Sequence, residues 1–205
     1  MTRPFPPDHL VDPLSPEDFA PSPALAAWAR DSFIADGATV ENPDHAHLQQ
    51  ATIGFLWTNV VNTRQTRLLL GTCQLLPPSG DKWSVGRSVS QLSEWFGDLP
   101  DFLITLYAPE AATMDDASFM ALVEHELYHA AQKLDKYGEP MFNKDTGQPI
   151  WTMRGHDVEQ FVGVVRRYGA NASGVEQMVE AANAGPEIAT ARIAIACGNC
   201  LRIAA

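Results

Sequence analysis

No stretch of this chain approaches the roughly 20 consecutive apolar residues that a bilayer-crossing helix needs. Its first residues also lack a basic-then-apolar signal pattern, so the expected location is cytoplasmic, with no membrane partner. Cysteine is scarce. Three in 205 residues is an odd number and too few for a disulfide framework, and reduced thiols are expected. Cations are outnumbered as well: 14 Lys and Arg stand against 25 Asp and Glu, a formal charge of -11 with an isoelectric point near 4.8. Non-specific nucleic-acid binding depends on clustered Lys and Arg to displace counterions, so that partner class is not expected. A basic or unfolded polypeptide suits such a field better, and the oligomeric state is left open.

With 45% hydrophobic and 19% charged residues, the chain has the composition of an ordinary globular protein, long enough for one full-sized core. Residues 1 to 23 hold Pro4, Pro6, Pro7, Pro13, Pro16, Pro21 and Pro23 with little apolar periodicity, and read as a disordered arm. Residues 24 to 186 read as the folded domain, and 187 to 205 as a tail carrying Cys197 and Cys200. Within the domain, a helix is expected from Pro23 to about Ala35. His45 and His47 read as surface histidines leading into a strand over Thr52–Thr58, whose expected partner is Arg67–Leu76 with Cys73 buried inside it. A short helix through Val85, Val89, Leu92 and Phe96 and a strand over Phe102–Tyr107 follow.

The informative stretch is His125-Glu126-Leu127-Tyr128-His129. It lies on a helix expected from Asp115 or Asp116 to about Leu134, with Phe119, Val123, Leu127, Ala130 and Leu134 as its buried stripe. Residues four apart project from adjacent turns of one face, so His125 and His129 can share a metal ion. Glu126 then falls where a carboxylate can take a proton from a metal-bound water without being a ligand. The strand over Phe102–Tyr107 would lie beside this helix and offer its edge to an extended peptide.

Catalytic zinc takes three protein ligands, so one more is needed. Asp135 lies six residues after His129, but the sharp turn that would use it requires a glycine where Gln132 stands. Beyond Leu134, Asp145-Thr146-Gly147 marks a turn in a hairpin or long loop that returns the chain toward the motif. A helix is expected to open at Arg154-Gly155-His156-Asp157-Val158-Glu159, with Val158, Phe161, Val162 and Val165 buried. His156 is the favoured third ligand and Glu159 the second choice. Ser173-Gly-Val-Glu176 reads as the capping box of a last helix.

His125-Glu-Leu-Tyr-His129 together with Arg154-Gly-His-Asp-Val-Glu-Gln-Phe161 and Val164-Val-Arg-Arg-Tyr-Gly169 resembles the putative phage metallopeptidase family. More distantly it is similar to SprT/Spartan-like peptidases, over roughly residues 50 to 170. The resemblance implies an α+β, zincin-like (minigluzincin-type) domain with a small, mostly antiparallel sheet. It also implies His125, His129 and His156 on Zn2+ with Glu126 as general base. Gln160 departs from an expected acidic residue, and Cys197-Gly-Asn-Cys200 is only half of a zinc ribbon. The expected activity is zinc-dependent endopeptidase hydrolysis through a zinc-bound water activated by Glu126. Arg154, Tyr128 and Tyr168 are candidate transition-state donors, and Asp157 is a candidate to orient a ligand. The alternative is a zinc-stabilised, non-catalytic protein-binding module of phage or mobile-element origin.

Overall fold

The computed structural model describes residues 2–64, 67–171 and 174–191. In chain order the elements are β1 (Phe19–Pro21), α1 (Pro23–Ala29), β2 (Ile53–Thr58), β3 (Thr63–Arg64), β4 (Arg67–Leu68), β5 (Gly71–Leu75), α2 (Lys82–Phe96), β6 (Phe102–Tyr107), α3 (Ala108–Thr113), α4 (Asp116–His129), β7 (Ala130–Gln132), β8 (Trp151–Met153), α5 (Val162–Tyr168) and α6 (Glu176–Ala184). The fold is α+β. Its main sheet has the order β1-β2-β6-β5, with β2 and β6 parallel and the other two pairings antiparallel.

Period-two alternation assigns the two faces of this sheet. Phe55 and Trp57 of β2, Cys73 of β5, and Phe102, Ile104 and Leu106 of β6 point to one side. There they join Leu25, Trp28, Phe33, Phe119, Leu122, Val123 and Leu127 from α1, its continuation and α4 in the main core. Leu56 and Leu103 point the other way, against Leu76 and Leu92 under α2. α2 is capped at its start by Asp81, whose carboxylate accepts from the Trp83 and Ser84 N–H groups, and ends at Gly97 with φ 84°.

The sheet corrects the expected pairing of 52–58 with 67–76. β6 lies between β2 and β5, and residues 67–68 instead form a two-stranded hairpin with β3. A long connection from β5 through α2 lets β6 insert parallel to β2, a crossover that no local pattern encodes. Since both edges of β6 are paired, the edge strand on this side is β5, not 102–107 as expected.

The arm expected to be disordered is instead part of the fold. β1 pairs with β2, Leu10 is fully buried, and the Arg3 side chain is buried against the start of α4. A few well-seated side chains on an extended, proline-stiffened segment dock it without the periodic stripe that composition-based reasoning looks for.

The motif helix is also shorter than expected. Asp115 caps α4 by accepting from the Ser118 N–H at 2.8 Å, and the helix stops at His129. From Ala130 the backbone is extended: Ala130, Ala131 and Gln132 pair with Met153, Thr152 and Trp151. Leu134 therefore leaves the stripe and is 54% exposed. The turn at Asp145-Thr146-Gly147 forms, with the Asn143 side chain accepting from the Asp145 and Thr146 N–H groups and Gly147 at φ 71°, and the hairpin brings the chain back to the end of α4.

Residues 154–161 are not helical. α5 begins only at Val162 and buries no residue, with Phe161 80% exposed. Pairing in β8 and the two hydrogen bonds of the Arg154 backbone to His129 tie the start of this stretch to the end of α4 and leave no helix there. α6 has Val175 at its N-cap with no side-chain cap, and Ser173, like Cys197 and Cys200, lies outside the described residues. No helix among the described residues is long and apolar enough to cross a membrane.

Candidate metal centre

The last two turns of α4 and the loop after β8 meet at one point. His125 and His129 come from α4 and His156 from the loop, with ligand atoms all within 4.8 Å of one another. The ring centroids are nearly equidistant, at 5.1 Å for His125–His129, 5.0 Å for His125–His156 and 5.1 Å for His129–His156. The Nε2 atoms of His125 and His156 are 3.2 Å apart.

Backbone geometry fixes one tautomer. The Nδ1 of His129 is 2.7 Å from the Arg154 carbonyl, which can only accept, so Nδ1 carries the proton and Nε2 presents its lone pair. The Arg154 N–H donates back to the His129 carbonyl at 2.9 Å. This two-bond bracket ties the loop bearing His156 to the end of the helix. His47, expected at the surface, reaches the same turn through its Nε2, 2.9 Å from the Ala130 carbonyl. Burial holds His125 at a pKa of about 4, with His129 and His156 adding to the effect. Burial also lowers His129, opposed by the Arg154 carbonyl. Neutral imidazoles are the form that binds a metal.

Glu126 is turned away from solvent, with 0% of its surface exposed. Among the described residues neither carboxylate oxygen has a well-formed hydrogen bond, although the Cys73 backbone lies close to it. Burial raises its pKa to about 8, opposed only by the nearby Cys73 backbone.

The remaining candidates divide. The Tyr128 hydroxyl accepts from the Asn42 side chain at 2.9 Å and donates to Asp44 at 3.1 Å, which commits it to the loop at 42–44. The Arg154 guanidinium is bonded to Asp157 at 2.6 Å and lies 5.7 Å from the Tyr128 ring centre. Asp135 accepts from the Tyr137 and Glu139 N–H groups in an exposed turn. Glu159 is exposed and outside the histidine cluster, and Tyr168 is exposed on α5.

Two neighbours were missed in the sequence. His45, expected at the surface, is buried at 3.8 Å from Glu124 and held to a pKa of about 4, chiefly by desolvation. A histidine in a polar stretch gives no signal for this. Gly71 lies directly against Glu126, and a glycine inside a strand pattern is a recognisable sign of close approach.

Three imidazoles around one point, beside a buried carboxylate on the same helix, make a donor set suited to one divalent transition-metal ion. The chain belongs to the family described as putative phage metallopeptidase, whose model matches residues 26–183. That name suggests a metal-dependent peptidase, and hence a polypeptide substrate. No curated protein and no solved structure matches the chain.

Proposed function

We propose that the protein is a zinc-dependent endopeptidase of zincin-like architecture, with His125, His129 and His156 as ligands and Glu126 as general base. The observation that carries this reading is the convergence of the three histidines, with Glu126 following His125 on the same helix. Two ligand atoms of a tetrahedral zinc with bonds of about 2.05 Å lie about 3.3 Å apart. The 3.2 Å between the Nε2 atoms of His125 and His156 fits that spacing.

Zinc bound there supplies Lewis acidity, easing deprotonation of a water and polarising a substrate carbonyl. The chain supplies the rest. Arg154 O orients His129 through Nδ1, and the loop after β8 delivers His156. Glu126 takes the proton of the attacking water and returns it to the leaving amine. In the metal-free chain burial raises its pKa to about 8, and a divalent cation beside it would favour the ionised form that accepts the proton. β5, the edge strand beside Glu126, is the strand along which an extended peptide would pair. The Tyr128 hydroxyl, bonded to Asn42 and Asp44, and Arg154, paired with Asp157, steady the surroundings of the site.

Glu126→Gln tests this reading. The amide keeps the shape of the carboxylate and leaves the ligands untouched, so the variant should fold and hold wild-type zinc. An amide cannot accept the proton, so cleavage of an unfolded-protein library, read as new termini by mass spectrometry, should vanish. Persistence of the same termini in the variant refutes the base assignment.

A further inference from the structure

Glu126 is the deepest charged side chain near the histidines, and something must define where its carboxylate rests. α4 crosses β5, whose residues Gly71, Cys73 and Leu75 share the face turned toward the helix. A methyl group at position 71 would lie 2.7 Å from Glu126 Oε1, 3.0 Å from its Cγ and 3.1 Å from its Cδ. All three close contacts are to this one side chain.

The backbone at Gly71 is ordinary strand and is not among the positive-φ glycines, so an alanine there would meet no conformational strain. Among the described residues most other glycines, Gly86, Gly155 and Gly163 included, face open space. Gly54 is tight only against the Phe96 ring and Pro100. The absence of a side chain at 71 therefore makes room for the carboxylate of Glu126, which supplies the three nearest atoms. That carboxylate is fully enclosed, so it has no solvent gap to retreat into if the room is taken.

We propose that Gly71 is a positioning residue: the bare backbone of β5 at this point is the seat of the Glu126 carboxylate and sets its reach toward the histidine cluster. A side chain at 71 displaces the carboxylate or lifts β5 from α4. Either movement spoils a proton transfer whose geometry tolerates little error. The catalytic half of this inference rests on the peptidase reading, whereas the seat itself is a matter of packing and can be measured without turnover.

The experiment is a double-mutant cycle of Gly71→Ala and Glu126→Ala, followed by thermal melting with and without zinc. Gly71→Ala alone should lower the melting temperature by several degrees through overpacking, whereas in the Glu126→Ala background the same change should cost less than about 1 °C. Should Gly71→Ala alone fail to fold, recovery of folding in the Glu126→Ala background supports the seat. An equal cost in both backgrounds, or failure to fold in both, overturns it. With labelled, denatured casein as substrate, Gly71→Ala should keep wild-type zinc occupancy and KM while kcat falls about a hundredfold, the order expected for a misplacement near 1 Å. An unchanged kcat overturns the positioning role. Absence of cleavage by the wild type counts against the peptidase reading alone, because the melting cycle still decides the seat.

Discussion

Replacing Arg3 by alanine should destabilise the protein far more than a change three residues into a proline-rich terminus ordinarily would. Its guanidinium donates to the Ala111 carbonyl at 2.9 Å and the Met114 carbonyl at 2.6 Å, and its Nε donates to Asp116 at 3.0 Å. These acceptors lie at the end of α3, in the turn that follows, and on the first residue of α4. The guanidinium carbon also sits 4.2 Å from the Phe5 ring centre and 4.7 Å from that of Phe119. The Arg3 side chain is only 4% exposed, whereas that of Asp116 is 82% exposed, so the ion pair itself contributes little. The loss comes from the two carbonyls left without their charged donor, about 2 kcal/mol net, and from two ring contacts of about 0.5 kcal/mol each. A total near 3 kcal/mol lowers the melting temperature of a chain this size by about 6–12 °C. Arg3→Lys should recover part of the loss, since an ammonium keeps the charge but cannot span both carbonyls with a planar fork. Calorimetry or circular-dichroism melts decide it. An Arg3→Ala protein melting within about 2 °C of wild type would mean that the first residues do not clamp the motif helix.

Other outcomes follow from the same geometry. The purified protein should carry about one zinc per chain; His156→Ala should lose it, and Asp135→Ala and Glu159→Ala should keep it, by elemental analysis. A chain truncated to begin at Pro23 should be strongly destabilised, since it lacks β1, Leu10 and Arg3; melting close to the full-length protein would show that these contacts are dispensable. The metal-free protein should lose stability on both sides of a narrow pH range. Glu126 keeps a proton that the unfolded chain has lost, so stability falls as pH rises from 4.5 to about 8. His125 and His45 stay neutral where the unfolded chain is protonated, so stability also falls as pH drops from 6.5 toward 4. Glu126→Gln should flatten the alkaline limb and steepen the acid limb, since between pH 6.5 and 4.5 the proton taken up by Glu126 offsets part of the histidines' loss; denaturant titration across pH checks both.

The helix carrying His125 and His129 was legible because its signals are local. Asp115 and Ser118 form a cap within one turn, and Phe119, Val123 and Leu127 repeat at helical spacing. The strands at 53–58 and 102–107 and the helix at 82–96 were visible for the same reason, and so was Cys73 as a small buried side chain. The end of the motif helix was not legible. Nothing in Ala130-Ala131-Gln132 forbids further helix, and its extended form comes from pairing with residues about 20 positions on. Composition also misread the first 23 residues, where Arg3 and Leu10 dock singly and leave no period to detect.

By itself, the sequence determined the local chemistry. It put two imidazoles one turn apart on a helix with a glutamate between them, and a third imidazole after a glycine some thirty residues later. It also provided an apolar pattern able to bury that helix. Only the tertiary structure decided that β6 would slot between β2 and β5, that β5 would pass over Glu126 with a bare glycine, and that the Arg154 backbone would bracket His129. Helical spacing and capping act within a few residues and are written in neighbouring letters. Strand order and the choice of which backbone meets a buried carboxylate depend on contacts between distant segments, whose free energy exists only once the whole core has closed.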